Sequence, residues 1–143
     1  MVKNMMFYIF IYIFIVGCSS DGVGVCPNCY LSVGISDVQQ DENGFYHVDF
    51  MQNYVQTFIL IDAETGLSDK YQRVLWTSDS GIWYDGYFVE AVNGYSYTDL
   101  DGMAHTVLSI WEDFIGDTIS VYSEYVDDCG INYEDLIRVI VDE

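Results

Sequence analysis

Basic side chains are scarce in this sequence. Four lysines and arginines stand against 23 aspartates and glutamates, which gives a formal net charge of −19 over 143 residues. This deficit argues against nucleic acid as a partner, because nucleic-acid binding depends on lysine and arginine neutralising phosphates. It also argues against adsorption to anionic lipid through a basic patch. An excess of aspartate with almost no lysine is instead typical of a surface that stays soluble at high salt, where repulsion is screened.

Apolar runs long enough to span a membrane are also lacking. The run at 5–16 has 12 apolar residues behind a single positive Lys3, which suits the apolar core of a signal peptide and falls short of a span of about 20 residues. It ends in Ile15-Val16-Gly17-Cys18, which resembles the lipobox of bacterial lipoprotein precursors. The resemblance implies cleavage before Cys18 and transfer of a diacylglyceryl group to its thiol. An uncleaved anchor and an ordinary secretory signal are the alternatives.

These observations divide the chain into three parts. Residues 1–17 are predicted to be a lipoprotein signal peptide, and residues 18–29 to be the lipidated cysteine with a flexible tether of small and polar residues. Residues 30–143 are predicted to form one folded domain. The expected partner is a membrane, held through the lipid anchor, because several acyl chains on one cysteine give stable attachment. The expected location is therefore the cell envelope, at the outer membrane or the cell surface.

The body of the chain is predicted to be all-β. Hydrophobic residues make up 51% and aromatics 17%, which excludes a disordered acidic tail. Alternating runs rich in valine, isoleucine, tyrosine and threonine are separated by Asn-Gly, Asp-Gly and similar turn pairs. Their spacing, without helical periods between them, favours a sandwich. The predicted strands lie at 31–38, 45–50, 55–62, 73–77, 87–92, 103–110, 118–125 and 136–141, and helical turns fit only 109–115 and 133–137.

Alternation within these runs predicts which side chains face the core. Trp76 is expected to be the large core aromatic. Both alternating sets of 55–62 are apolar, so this strand is expected to be central and covered on both sides. The two histidines, His47 and His105, fall on outward positions. The expected inward residues are Tyr46, Val48, Phe50, Val74, Trp76, Val89, Ala91, Ala104, Leu108, Ile119, Val121, Ile137, Val139 and Val141.

Four stretches resemble the bacterial Ig-like domains of the invasin/intimin type. They are FILIDAETG at 58–66, VLWTS at 74–78, YTDLDGMAHTVL at 97–108 and GDTISV at 116–121. The resemblance implies an Ig-like antiparallel β-sandwich of about seven to eight strands. It also implies a non-catalytic adhesion, assembly or spacer module, and it transfers no site residues. The segment 81–97, rich in tryptophan and tyrosine, departs from the pattern of these domains.

Cys26-Pro27-Asn28-Cys29 is a CxxC motif, a pattern that can form a redox pair or half a zinc site. No βαβ unit surrounds it, and adding Cys129 and the two histidines gives no zinc-finger spacing. A structural disulfide is the preferred interpretation, because thiols outside the cytoplasm tend to be oxidised. In an Ig-like sandwich the first strand commonly runs parallel to the last. The resemblance therefore implies a bond between Cys29 and Cys129, with Cys26 as the alternate partner.

Asp99-Leu100-Asp101-Gly102 is a second candidate motif. It departs from an EF-hand calcium loop, because Tyr97 holds the first ligand position and Leu108 the last. It is interpreted as a solvated hairpin turn, and no cofactor is predicted. No G-x-S-x-G elbow or related setting is present, so no enzymatic activity is predicted. The alternative is a weak calcium site built from Asp99, Asp101, Asp127 or Asp128.

Aromatic residues are concentrated around turns at Trp83, Tyr84, Tyr87 and Tyr95. Such loops stack on sugars or anchor protein partners, because tryptophan and tyrosine supply contact area at low entropic cost. The alternative is that these rings cover the end of the sandwich and pack on Trp76. Two functions follow: a cell-surface lipoprotein that is an adhesion, assembly or spacer module, or one that binds a glycan or other ligand through these aromatics. A further alternative is an envelope thiol or metal protein centred on the CxxC motif.

Overall fold

The computed structural model describes residues 28–66, 71–127 and 129–143, and in these ranges the protein is all-β, as predicted. A single 3-10 turn at Glu112–Phe114 falls in the predicted 109–115 stretch. No helix in these ranges is long and apolar enough to cross a membrane. The predicted signal peptide, Cys18, Cys26 and Asp128 lie outside the described residues. The ten strands are β1 (Ser32–Ile35), β2 (Phe45–Asp49), β3 (Gln56–Glu64), β4 (Arg73–Ser78), β5 (Gly81–Tyr84), β6 (Tyr87–Glu90), β7 (Asn93–Tyr97), β8 (Met103–Trp111), β9 (Thr118–Val126) and β10 (Asn132–Asp142).

The strands form a sandwich of two main sheets and one separate hairpin. The first sheet has the order β1-β3-β8 and the second β2-β10-β9-β4-β7, while β5 and β6 pair only with each other. Inward side chains of both main sheets meet in one core, in which Trp76 is the largest fully buried residue. Every predicted inward residue is buried except Val89, which is 41% exposed. Val89 lies in the hairpin, outside the sandwich, and that placement corrects the prediction.

One ladder of the sandwich is parallel. β2 runs parallel to the last strand, with Tyr46 opposite Val139. The strand beginning near residue 31 was predicted to hold this parallel position. That prediction is wrong, because β1 pairs antiparallel with β3 in the other sheet. A side chain joins β1 to β10 instead, because the backbone N–H of Val33 donates to Asp135 Oδ2 at 2.7 Å. The starts of β1 and β10 are therefore held at the same end of the sandwich.

The prediction for the strand at 55–62 is half right. β3 is central in its sheet, and its inward side chains, Ile61 among them, are buried. Its other face is open, because Phe58 is 63% and Leu60 47% exposed. An apolar run does not distinguish a strand covered on both faces from one with an apolar open face.

Several strand boundaries also differ from the prediction. The predicted strand at 31–38 shortens to the four residues of β1. β10 begins at Asn132, so 133–137 is extended and not a helical turn. β5 and β7 were not predicted, since each begins within a residue pair that was interpreted as a turn, at Gly81 and at Asn93. Glycine in a strand carries the same local signature as glycine in a turn.

Three turns of the sandwich share one arrangement around an aspartate. In the turn at 99–102, Asp99 Oδ1 accepts the backbone N–H groups of Asp101 and Met103 at 2.9 and 3.0 Å. The turn at 41–44 has the same pair of bonds to Asp41 Oδ1, and the turn at 127–130 has it to Asp127 Oδ1. In each, the glycine three residues after the aspartate donates its N–H to the aspartate carbonyl. The carboxylate therefore takes over backbone donors that the turn leaves without a strand partner.

Candidate functional site

The hairpin of β5 and β6 leaves the sandwich between β4 and β7. Its two-residue turn, Asp85-Gly86, has positive φ at both positions, 50° and 83°, as a type I′ turn requires. At its base, the Ser78 hydroxyl donates to the carbonyl of Ser80 at 2.9 Å, with the carbonyl of Val92 as a second acceptor at 3.3 Å, and Ser78 Oγ accepts the N–H of Val92. A Cβ on Gly81 would lie 2.3 Å from the carbonyl oxygen of Val89, so only glycine fits there. The hairpin is thus held at its base and projects at its tip.

The hairpin carries aromatic side chains on both faces. Trp83 pairs with Phe88, and Tyr84 pairs with Tyr87 across the two strands. Trp83 is 75% and Tyr84 69% exposed, and the other two rings are also exposed. Trp83 and Tyr84 are consecutive in one strand, so they point to opposite faces. The Trp83 and Phe88 rings are 5.6 Å apart at 58°, which is a tilted pair and not a flat platform.

Tyr95, grouped with these aromatics by the sequence, lies elsewhere. It is on β7, at the edge of the five-stranded sheet, where it meets Tyr97 edge to face with centroids 5.8 Å apart. The guanidinium of Arg73 lies 5.7 Å from the centroid of the Tyr95 ring. The structure therefore separates the predicted aromatic cluster into a hairpin group and a sheet-face group.

Tyr95 is part of a groove of about 780 Å³ that the sequence did not reveal. The groove crosses four adjacent strands of the sheet, and strand register places its outward residues in two rows. The residues that line the groove come from four strands spread over positions 75–136, so no local sequence motif could have indicated it. The first row is Tyr95, Leu75, Glu124 and Glu134. The second row is Asn93, Thr77, Tyr122 and Leu136.

The cysteines of the predicted disulfide lie at one end of the sandwich. Cys29 precedes β1 by three residues, and Cys129 lies in the turn between β9 and β10. The bond from Val33 to Asp135 holds the starts of β1 and β10 together, so both cysteines lie towards that end. Neither is a free cysteine. Their pairing with each other stays a prediction.

Asp99 and Asp101, the calcium alternative, lie in a tight hairpin turn. Asp99 Oδ1 already accepts two backbone N–H groups, and its pKa is held below the ordinary value first by the bond from Met103. Asp127 is at another turn, where its Oδ1 accepts two N–H groups and its Oδ2 the hydroxyl of Tyr133 at 3.3 Å. In the described ranges, no group of three or more histidine, cysteine, aspartate or glutamate side chains could hold a metal ion.

Both histidines are exposed, as predicted, and each bonds to aspartate. His47 Nδ1 lies 2.8 Å from Asp142 Oδ2 and its Nε2 3.3 Å from Asp41 Oδ2. The bond to Asp142 raises the pKa of His47, and the bond to Asp41 adds to the effect. His105 Nδ1 lies 2.6 Å from Asp62 Oδ1 on the outer face of the three-stranded sheet. The two histidines therefore link strands at the surface.

Comparisons with known proteins give no match for this chain. No protein-family model matches the chain, no curated protein matches it, and no solved structure matches it.

Proposed function

We propose that this protein is a non-catalytic, lipid-anchored surface module that adheres to a protein partner through the β5–β6 hairpin. The observation that carries the proposal is the exposure of Trp83, Tyr84, Tyr87 and Phe88 on a hairpin that, among the described strands, pairs with neither main sheet. Exposing four aromatic rings to water is unfavourable and adds nothing to the core. Large aromatics at a projecting tip are typical binding hot spots.

The alternative is glycan binding by the same hairpin. Exposure of the rings favours binding over a pure spacer role. A sugar-stacking site needs rings that form a common flat surface, and Trp83 and Tyr84 point to opposite faces of the strand. The hairpin carries exposed aromatic rings on both faces, which suits insertion into a cleft of a protein partner.

The anchor is a separate part of the proposal. The lipobox-like sequence at 15–18 supports attachment through Cys18, and the Ser/Gly-containing tether would hold the domain away from the bilayer. We expect Cys18→Ala to leave an unprocessed precursor that no longer incorporates labelled palmitate. Normal processing and labelling of this variant would contradict the anchor.

The adhesive role is tested on cells that display the full-length protein. Trp83→Ala with Phe88→Ala removes one face of the hairpin, and Tyr54→Ala removes an equally exposed ring on the connection between β2 and β3. Adherence to a panel of immobilised proteins should fall for the hairpin variant and stay unchanged for Tyr54→Ala. Binding to an immobilised glycan array that is lost with the hairpin variant would favour the glycan alternative.

A further inference from the structure

We propose that the groove on the outer face of the five-stranded sheet is a second binding site, which holds a basic peptide segment by a lysine or arginine side chain placed between Glu124 and Glu134. The site lies on β4, β7, β9 and β10 and includes no residue of the hairpin. It therefore stands independently of the adhesive role proposed above.

The shape and surface of the groove fit such a side chain. Leu75 and Leu136 give it an apolar floor, and the exposed rings of Tyr95 and Tyr122 flank that floor. Lysine and arginine combine an apolar stem with a charged head, so one side chain matches both the floor and the carboxylates. The Arg73 guanidinium lies 5.7 Å from the Tyr95 ring centroid, so the cation of the peptide is placed at the two carboxylates, and its apolar stem lies on the floor beside the Tyr122 ring.

Charge in the groove favours a cation over a neutral ligand. Glu124 and Glu134 are direct cross-strand partners on the outer face, and like charges in such a position destabilise a sheet. Glu134 Oε1 accepts the side-chain amide of Asn132 at 2.7 Å. None of the residues that line the groove is basic, and Arg73 and Arg138 stand in the rows on either side of it. A bound cation would relieve this repulsion, whereas a neutral sugar would leave it in place. The net charge of −19 adds long-range attraction for a basic partner.

The length of the groove indicates a peptide rather than a single small cation. It crosses four strands, and three gaps of about 4.8 Å give a span of about 14 Å. An extended chain advances about 3.3–3.6 Å per residue, so about four residues fit across the sheet. Thr77 and Asn93, in the second row, offer hydrogen bonds to the backbone of such a segment.

The test measures binding of a defined basic peptide to the full chain by isothermal titration calorimetry. The probe is acetyl-GKGKGKG-amide, and the comparison peptide has every lysine acetylated. We expect binding of the first peptide only, weakened at least about tenfold by Glu124→Gln with Glu134→Gln. Tyr122→Ala should also weaken it, and Trp83→Ala should not. The control, Glu42→Gln with Glu112→Gln, removes the same charge from exposed positions outside the groove and should change the affinity less than about twofold.

A second measurement uses the free protein and needs no ligand. Glu124→Gln alone should raise the midpoint of thermal unfolding, because the like-charge pair is removed.

Several outcomes of the peptide titration would overturn the proposal. If the control variant, Glu42→Gln with Glu112→Gln, weakened peptide binding as much as the groove variant, the attraction would be non-specific. Failure of the basic peptide to bind would also overturn it, as would a neutral oligosaccharide that competes for the groove. Adherence of the hairpin variants, whether lost or kept, does not change these results. The groove proposal and the adhesive proposal can therefore fail independently of each other.

Discussion

Aspartate at the turns has a structural role in this molecule that its abundance conceals. Asp41, Asp99 and Asp127 each accept two backbone N–H groups with one carboxylate oxygen, and Asp135 joins β1 to β10. The pKa of Asp41 is lowered most by the hydrogen bond from the backbone N–H of Phe45. The pKa of Asp99 is lowered most by the bond from Met103. Composition alone indicates that the acidic excess is an adaptation to salt. Some of these aspartates instead hold the turns through hydrogen bonds. Composition does not distinguish an aspartate that holds a turn from one that only adds surface charge.

Asp127 is the aspartate whose loss should cost most stability, because it is buried and its carboxylate has three partners. We expect Asp127→Ala to lower the free energy of unfolding by about 2–3 kcal/mol, since two turn N–H groups and the Tyr133 hydroxyl lose their acceptor. Asp127→Asn keeps an acceptor oxygen and should lose less than half as much. Urea unfolding of both variants measures the difference. Equal losses would show that charge, and not the turn bonds, is responsible.

Trp76 should be the residue on which the core depends most. It is 1% exposed, and its Nε1–H donates to Ser96 Oγ at 2.9 Å, joining β4 to β7. Trp76→Ala should destabilise by about 3–5 kcal/mol, the range for deletion of a large buried aromatic. Trp76→Phe keeps most of the ring and should cost clearly less. A loss below about 1 kcal/mol for the alanine variant would contradict the packing described here.

At the scale of elements, the alternating patterns predicted most strands of the sandwich and missed β5 of the hairpin and β7 at the sheet edge. β2, β4, β8, β9 and β10 overlap predicted strands and bury the predicted residues, because a strand with one apolar face has a period of two. β5 and β7 were missed because glycines at their starts resemble turns. The aromatic cluster was predicted from closeness along the chain, which groups Trp83 with residues around nearby turns but cannot show that Tyr95 belongs to another surface.

The hairpin should unfold independently of the sandwich. Gly86 has φ 83°, and a residue with a Cβ is strained there by about 1–2 kcal/mol. Gly86→Ala should therefore speed amide hydrogen exchange in 82–89 while the thermal midpoint stays nearly unchanged. Gly44→Ala, with the same φ in a turn directly before β2, serves as the matched control and should lower the thermal midpoint. A large drop in the midpoint for Gly86→Ala would show that the hairpin is part of the core.

At the scale of the whole molecule, the two cysteines define one end of the sandwich. We expect Cys29 to bond Cys129, which would close a loop of about 100 residues and stabilise by up to about 4–5 kcal/mol in the chain-entropy model. Non-reducing peptide mapping of the full chain should yield a single linked peptide that contains both residues. Recovery of Cys26 joined to Cys29 would reject this pairing and restore the redox or metal interpretation of the CxxC motif.

The net charge of −19 should make stability depend on salt. Acidic side chains cover the surface with few basic residues to offset them, and the Debye length shrinks from about 10 Å at 0.1 M to about 3 Å at 1 M salt. The thermal midpoint should therefore rise between low salt and about 1 M NaCl. The same titration with glycerol in place of salt separates screening from general solvent effects. A midpoint that is flat or falls with NaCl would show that surface repulsion contributes little.

We expect the molecule to contact a protein partner through the tip of the β5–β6 hairpin. The most direct measurement is photo-cross-linking from a reactive amino acid placed at Trp83 in the full-length protein on its own cells, with the same group at Tyr54 as the control. We predict one discrete protein adduct from position 83, absent from position 54 and lost when Phe88→Ala is added. No adduct at 83, or the same adducts from both positions, would contradict the claim.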